Sequence, residues 1–85
     1  MSYTVVWVPP AEEELASVWL AAADRAAVTA AVHRLEQRLV RDPLHTGQVR
    51  WSSVQRVVTD PPLGIDFEVI EDDKRVLVQA VWAID

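Results

Sequence analysis

Cysteine is absent from this chain of 85 residues, and glycine occurs only twice. Without cysteine, neither disulfide bridges nor thiolate chemistry is available to the protein. Positive charge is also scarce: eight Lys and Arg residues stand against 13 Asp and Glu residues, which gives a formal net charge of −5 and an isoelectric point of about 4.8. Proteins that coat nucleic acid nonspecifically neutralise phosphates with many Lys and Arg side chains, so the composition argues against that class and restricts any basic site to a local patch.

Long hydrophobic runs are missing as well. The N-terminal segment MSYTVVWVPP has no positively charged region followed by a long apolar core, and no apolar run in the chain approaches the length of a membrane span. We therefore expect a cytoplasmic protein without membrane association.

Metal-binding patterns are equally sparse. His33 and His45 are not accompanied by a carboxylate or thiol motif, and Asp72-Asp73 does not resemble a calcium loop. The sequence therefore predicts no metal site and no cofactor.

The chain does contain enough apolar material for a small core. Hydrophobic residues make up 51% of the sequence and include four Trp. A chain of this length can enclose one small core, and this composition allows it to do so without a disulfide or a metal. We expect residues 1–85 to form a single domain.

The spacing of apolar residues changes near Asp42-Pro43. Before this point they recur every three to four positions, and after it they alternate every two, which predicts a helical half followed by a sheet half. A short strand is predicted at residues 3–8, closed by Pro9-Pro10. Helices are predicted at about residues 10–22 and 25–40, with Asp24 as the N-cap of the second. The residues expected on their buried faces are Ala11, Leu15, Val18, Trp19 and Ala22 in the first helix, and Val28, Val32, Leu35 and Leu39 in the second.

The second half has the composition of an antiparallel meander. Residues 49–54 and 56–59 have strand propensities, and DPPLG at residues 60–64 is a turn by composition. Residues 65–69 alternate between apolar and acidic side chains, EDDK at residues 71–74 forms a hairpin tip, and residues 76–82 return as an apolar strand. The order predicts an α+β fold with an N-terminal strand, an antiparallel two-helix hairpin and a three- to four-stranded antiparallel sheet.

Scattered positions along nearly the whole chain share a pattern with a known family. They are Tyr3-x-Val5-x-Trp7-x-Pro9-x-Ala11, the segment LASVWL, Asp24-Arg25 followed by AVTAAVHRLEQRL, Asp42-Pro43, Gly47, Arg50, Pro62-Leu63 and the hairpin FEVIEDDKRVLVQAVW. At these positions the chain resembles the RelE/ParE superfamily of toxins. The resemblance implies a RelE-like fold and a toxin of a type II toxin–antitoxin system, neutralised by a cognate antitoxin protein.

The resemblance implies one of two activities. Members of the nuclease branch cut mRNA on the ribosome, using basic side chains of the middle strands to act on the phosphate. Arg50 and Arg56 match those positions and are the candidate catalytic residues of an mRNA endoribonuclease. The alternative for each is a surface ion pair with Asp60 or Glu68. Pro62-Leu63 stands where that branch has an arginine, and the tail WAID lacks its basic and tyrosine residues, so the catalytic set is incomplete.

The alternative activity needs no catalytic residues. ParE-like members inhibit DNA gyrase and do not cut RNA, and a catalytically degenerate member would only bind its partner. The acidic composition and the vacant catalytic positions favour this alternative.

A row of basic residues marks a candidate partner surface. Arg34, Arg38 and Arg41 fall on one face of the second predicted helix, where the acidic side chains of an antitoxin would meet them. The competing interpretation is an ordinary solvated helix face, with Glu36 and Asp42 nearby.

Overall fold

A computed structural model of the protein describes residues 2–84 and shows two helices packed on a five-stranded mixed sheet. Its elements, in chain order, are β1 (Thr4–Trp7), α1 (Pro9–Ala21), α2 (Arg25–Arg41), a short 3-10 helix (Pro43–His45), β2 (Gln48–Ser52), β3 (Gln55–Asp60), β4 (Leu63–Ile70) and β5 (Arg75–Ala83). The predicted α+β arrangement is confirmed. Neither of the helices described in residues 2–84 is long and apolar enough to cross a membrane.

The strand order in the sheet is β1-β5-β4-β3-β2. The last four strands form the predicted antiparallel meander. The N-terminal strand joins the same sheet by pairing with β5 in parallel, so the sheet is mixed rather than purely antiparallel. This addition makes β5 an interior strand and leaves β1 and β2 as the two edges.

Both helices begin at local sequence signals. Pro9 and Pro10 occupy the start of α1, where the missing N–H of proline costs nothing. The side chain of Asp24 accepts a hydrogen bond of 3.0 Å from the backbone N–H of Ala27, which confirms it as the N-cap of α2. The observed helix ends lie within one residue of the predicted ones.

Apolar side chains of the helices and of one sheet face form the core. The buried members are Ala11, Val28, Ala31, Leu35, Leu39, Val58, Leu63, Ile65, Phe67, Val69, Val76, Val78 and Val81. The predicted stripe of α2 is confirmed, with Val32 only partly buried. On β4, alternation leaves Gly64, Asp66 and Glu68 on the opposite face, which no helix described in residues 2–84 covers.

The predicted burial of Trp19 is wrong, because its side chain is 40% exposed. The guanidinium of Arg25 stacks on the ring at 4.7 Å from its centroid. The same group donates hydrogen bonds to the carbonyl oxygens of Trp19 and Leu20, at 3.1 and 3.0 Å. The ring therefore covers the connection between the helices instead of entering the core.

Two side-chain hydrogen bonds tie the helices to the strands at either side of the core. The indole N–H of Trp7 donates to Glu36 Oε2 at 2.9 Å, joining β1 to α2. Glu14 Oε1 accepts from the backbone N–H of Val81 at 3.2 Å, joining α1 to β5. Val81 lies close to the register shift between β4 and β5. Glu14 therefore supplies an acceptor for a main-chain N–H near an irregular part of the sheet.

Gly47 allows the chain to turn into β2. Its φ is +69°, and a Cβ added there would lie 2.1 Å from the carbonyl oxygen of Val57. A side chain would thus be strained in conformation and would collide with backbone.

We expect Gly47→Ala to lower the free energy of unfolding by at least about 2 kcal/mol, because the strain and the collision act together. Urea unfolding followed by tryptophan fluorescence measures this loss. Ser53→Ala in the exposed turn between β2 and β3 is the control, with an expected change of less than about 0.5 kcal/mol. Equal stability of Gly47→Ala and the wild type would contradict the turn geometry.

Candidate functional site

Arg56 lies on β3 with its side chain on the helix-facing side, and only 9% of the residue is exposed. Its guanidinium donates three hydrogen bonds to main-chain carbonyl oxygens, to Thr46 at 2.9 Å, Gly47 at 3.1 Å and Ser53 at 3.2 Å. These bonds connect both ends of β2 to β3. Arg56 therefore fastens the edge strand β2 to β3.

Arg50 lies on the edge strand β2 and forms an ion pair with Asp66 of β4. Its side chain is 41% exposed, and its guanidinium lies 5.1 Å from the ring centroid of Trp51. Trp51 is itself 74% exposed. The edge therefore presents an aromatic ring beside an arginine whose charge is compensated by a carboxylate.

The sheet face turned away from the helices is acidic rather than basic along β4. Asp66 pairs with Arg50, and Glu68 accepts a hydrogen bond of 3.1 Å from Gln79. At the far end of this face the ring of Trp82 packs on Gly64, where an added Cβ would lie 2.6 Å from the indole. Within residues 2–84, the structure brings no uncompensated cation to the middle of this face. The catalytic roles of Arg50 and Arg56 stay predictions.

The three arginines of the basic row on α2, Arg34, Arg38 and Arg41, differ in their partners. Arg34 makes two parallel hydrogen bonds to Asp60, at 3.0 and 2.9 Å, and a third of 3.4 Å to the carbonyl oxygen of Pro61. The hydrogen bond from Arg34 holds the pKa of Asp60 below its ordinary value, and the charge of Arg38 contributes in the same direction. Arg34 therefore links α2 to the end of β3.

Arg38 and Arg41 remain exposed beside a cleft of about 450 Å³. The cleft is lined by Arg34, Gln37, Arg38, Arg41, Asp42, His45, Thr46 and Asp60. His45 Nδ1 lies 2.8 Å from Asp42 Oδ1 at its rim. The predicted row thus becomes one arginine held in an ion pair and two that face an open cleft.

A second concave surface is apolar. It has a volume of about 740 Å³ and is lined by Ser17, Val18, Ala21, Ala22, Ala23, Asp24, Ala27, Val28, Pro61, Pro62, Ala83 and Ile84. These residues come from the helical hairpin, the β3–β4 turn and the end of β5. Sequence reasoning missed this groove because its lining is assembled from segments far apart in the chain.

Sequence reasoning also missed Asp60 as the partner of Arg34. The two residues are 26 positions apart and belong to a helix and a strand, so no local pattern relates them. Within residues 2–84, no group of three or more His, Cys, Asp or Glu side chains is arranged to hold a metal ion.

Arg56→Ala should lower the free energy of unfolding by about 2–4 kcal/mol, because it removes three hydrogen bonds and leaves main-chain carbonyls without their donor. Arg50→Ala is the matched control and should cost less than about 1 kcal/mol, since its ion pair is partly exposed. Urea unfolding compares the two variants. Equal losses would contradict the structural role of Arg56.

The stabilisation that Asp60 provides should depend on pH. Because its pKa is lower in the folded protein than in the unfolded chain, this stabilisation is complete above the unfolded value and is lost as the pH falls through the folded one. The advantage of the wild type over Asp60→Asn in urea unfolding should therefore shrink as the pH is lowered from about 6 to below about 3. Asp73→Asn, in the β4–β5 turn, controls for the loss of one acidic group. A constant difference between wild type and Asp60→Asn would refute the linkage.

Comparisons with known proteins agree with this architecture. No family model matches the sequence, and no curated protein sequence matches it significantly. Among solved structures, the chain is similar to one from the toxin–antitoxin complex RelBE2 of Mycobacterium tuberculosis, with a TM-score of 0.78, 18% identity and coverage of 98% of this chain and 99% of the other. It is also similar to a chain of the chromosomal ParDE toxin–antitoxin system of P. aeruginosa, with a TM-score of 0.75, 14% identity and coverage of 98% and 97%. Over nearly its full length, the chain therefore has the fold found in RelBE- and ParDE-type toxin–antitoxin complexes, a RelE/ParE-like fold.

Proposed function

We propose that this protein is the toxin component of a type II toxin–antitoxin module and is neutralised by a cognate antitoxin. The observation that carries the proposal is the full-length fold similarity to chains from two toxin–antitoxin complexes. The apolar groove adds support, because a concave apolar surface of about 740 Å³ offers a partner protein a place to bury side chains.

We propose further that the protein acts by binding its target and does not cleave RNA. Arg56 is bound to three main-chain carbonyls, and Arg50 is paired with Asp66. Stabilising a phosphate in transit requires cations that are positioned and uncompensated. These contacts and the net charge of −5 favour the ParE-like alternative, with DNA gyrase in the cytoplasm as the target.

The competing candidate is ribosome-dependent cleavage of mRNA, and one observation favours it. Trp51 is 74% exposed next to Arg50, so an RNA base stacked on the ring would bring its phosphate close to the guanidinium. Arg50 would first have to exchange Asp66 for that phosphate. The ribosome would supply the remaining positioning of the mRNA.

Induced expression of the wild-type protein should arrest bacterial growth, and co-expression of an adjacently encoded antitoxin should relieve the arrest and yield a co-purifying complex. Purified protein should inhibit supercoiling by DNA gyrase and leave mRNA intact on purified ribosomes. Arg50→Ala should retain the arrest, because its guanidinium is not used chemically.

Each outcome separates the candidates. Cleavage of mRNA that Arg50→Ala abolishes would establish the nuclease and contradict the binding mode. Absence of both growth arrest and gyrase inhibition, with an antitoxin still bound, would identify a degenerate toxin. The proposal as a whole fails if expression is harmless and no antitoxin binds.

A further inference from the structure

Most cations of this chain are already bound within it. Five of the eight Lys and Arg side chains hydrogen-bond to a carboxylate or a carbonyl, namely Arg25, Arg34, Arg50, Arg56 and Lys74. Within residues 2–84, the side chains of the other three, Arg38, Arg41 and Arg75, form no hydrogen bond or ion pair. Arg38 and Arg41 alone among these three share a surface, since Arg75 lies at the start of β5.

Arg38 and Arg41 are spaced as neighbours on a helix. Positions i and i+3 lie on one face, with Cβ atoms about 5–6 Å apart. Both side chains line the 450 Å³ cleft described above. Arg41 also lines an adjoining cleft of about 380 Å³ that contains the exposed side chain of Val40. Val40 therefore offers an apolar contact on the Arg41 side of the pair, in a cleft that Glu36 also lines.

The ion pair between Arg34 and Asp60 keeps this surface cationic. Asp60 lines the same cleft from the sheet side, and both of its oxygens accept hydrogen bonds from Arg34. Asp42 has one carboxylate oxygen in contact with His45, at 2.8 Å. Arg38 and Arg41 thus keep their positive charge available to a ligand from outside the chain.

We propose that Arg38 and Arg41 form a recognition site for two carboxylates presented one helical turn apart by an acidic, amphipathic peptide segment of a partner protein. That the partner is the antitoxin rests on the proposed function, whereas the recognition of carboxylates does not. Guanidinium groups form charge-assisted hydrogen bonds with carboxylates, and the apolar side of the segment contacts Val40.

A nucleic acid fits this surface less well than an acidic peptide. Binding of a phosphate backbone draws its affinity from many cations, and this face provides two. The exposed carboxylate of Asp42 lines the same cleft and would repel a continuous row of phosphates. A peptide needs to place only two carboxylates and can avoid that of Asp42.

The test is an NMR titration of the ¹⁵N-labelled protein with a helical, alanine- and leucine-based peptide carrying two glutamates at i and i+4. Backbone amides of residues 34–45 should shift, and a peptide with glutamines in place of the glutamates should leave them unchanged. Arg38→Ala and Arg41→Ala should each weaken binding about threefold, and the double variant about tenfold.

Two further variants sharpen the result. Arg75→Ala removes the same charge from an exposed site elsewhere and should leave the affinity unchanged. Asp60→Asn removes the carboxylate that neutralises Arg34, so it should strengthen binding about twofold or more. An equal loss in Arg75→Ala would mean a general charge effect and would overturn the site.

Other occupants give other results. Tighter binding of a short RNA oligonucleotide, with the same dependence on Arg38 and Arg41, would overturn the proposal in favour of nucleic acid. A dimer in sedimentation that the double variant loses would assign the surface to a second copy of this chain. An antitoxin that binds wild type and double variant equally would refute the site while leaving the toxin proposal intact. Peptide binding as expected, together with harmless expression and no bound antitoxin, would sustain the site and remove the toxin proposal.

Discussion

The packing of α2 against the middle of the sheet closes the core and places the arginines of this helix. Leu35 and Leu39 of the helix are fully buried with Ile65 and Phe67 of β4 in one cluster. Because the apolar side chains of α2 form one stripe along the helix, burying that stripe fixes which face of the helix is exposed. The hydrogen bond from Trp7 to Glu36 adds a directional contact between β1 and α2.

Once α2 is oriented, the acceptors that lie within reach of each arginine decide whether its guanidinium forms a hydrogen bond within the chain. Arg34 meets Asp60 at the end of β3, whereas Arg38 and Arg41 line the cleft beside the short 3-10 helix without a side-chain partner among the described residues. Arg56 points inward and is satisfied by carbonyls because a buried guanidinium must have partners. Arginine side chains of the same chemistry thus have two roles: Arg34 and Arg56 link elements of the fold, and Arg38 and Arg41 have no side-chain partner in the part of the chain that the structure describes. The proposed functions depend on this division.

Much of the fold could be predicted from the sequence because it arises from short-range rules. The change of hydrophobic period near Asp42-Pro43 located the helices and the strands, and the capping role of Asp24 followed from residue type and position. The prediction for Trp19 was wrong because helical spacing puts a residue on a face but does not show how far the core extends beneath it. The parallel pairing of β1 with β5 has no local signal either, since it joins the two ends of the chain.

For the candidate site, the sequence predicted which residues take part but not which of them are paired. The positions of Arg34, Arg38 and Arg41 on one helical face follow from the repeat of 3.6 residues. Which of them stays free depends on Asp60, 26 residues away from Arg34, and only the tertiary structure brings that carboxylate to the helix. The sequence by itself determined the helices, the strands and the apolar faces, because propensity and periodicity act between neighbours. The tertiary structure decided which charges are compensated and where the grooves lie, because pairing and concavity depend on residues that are distant in the chain.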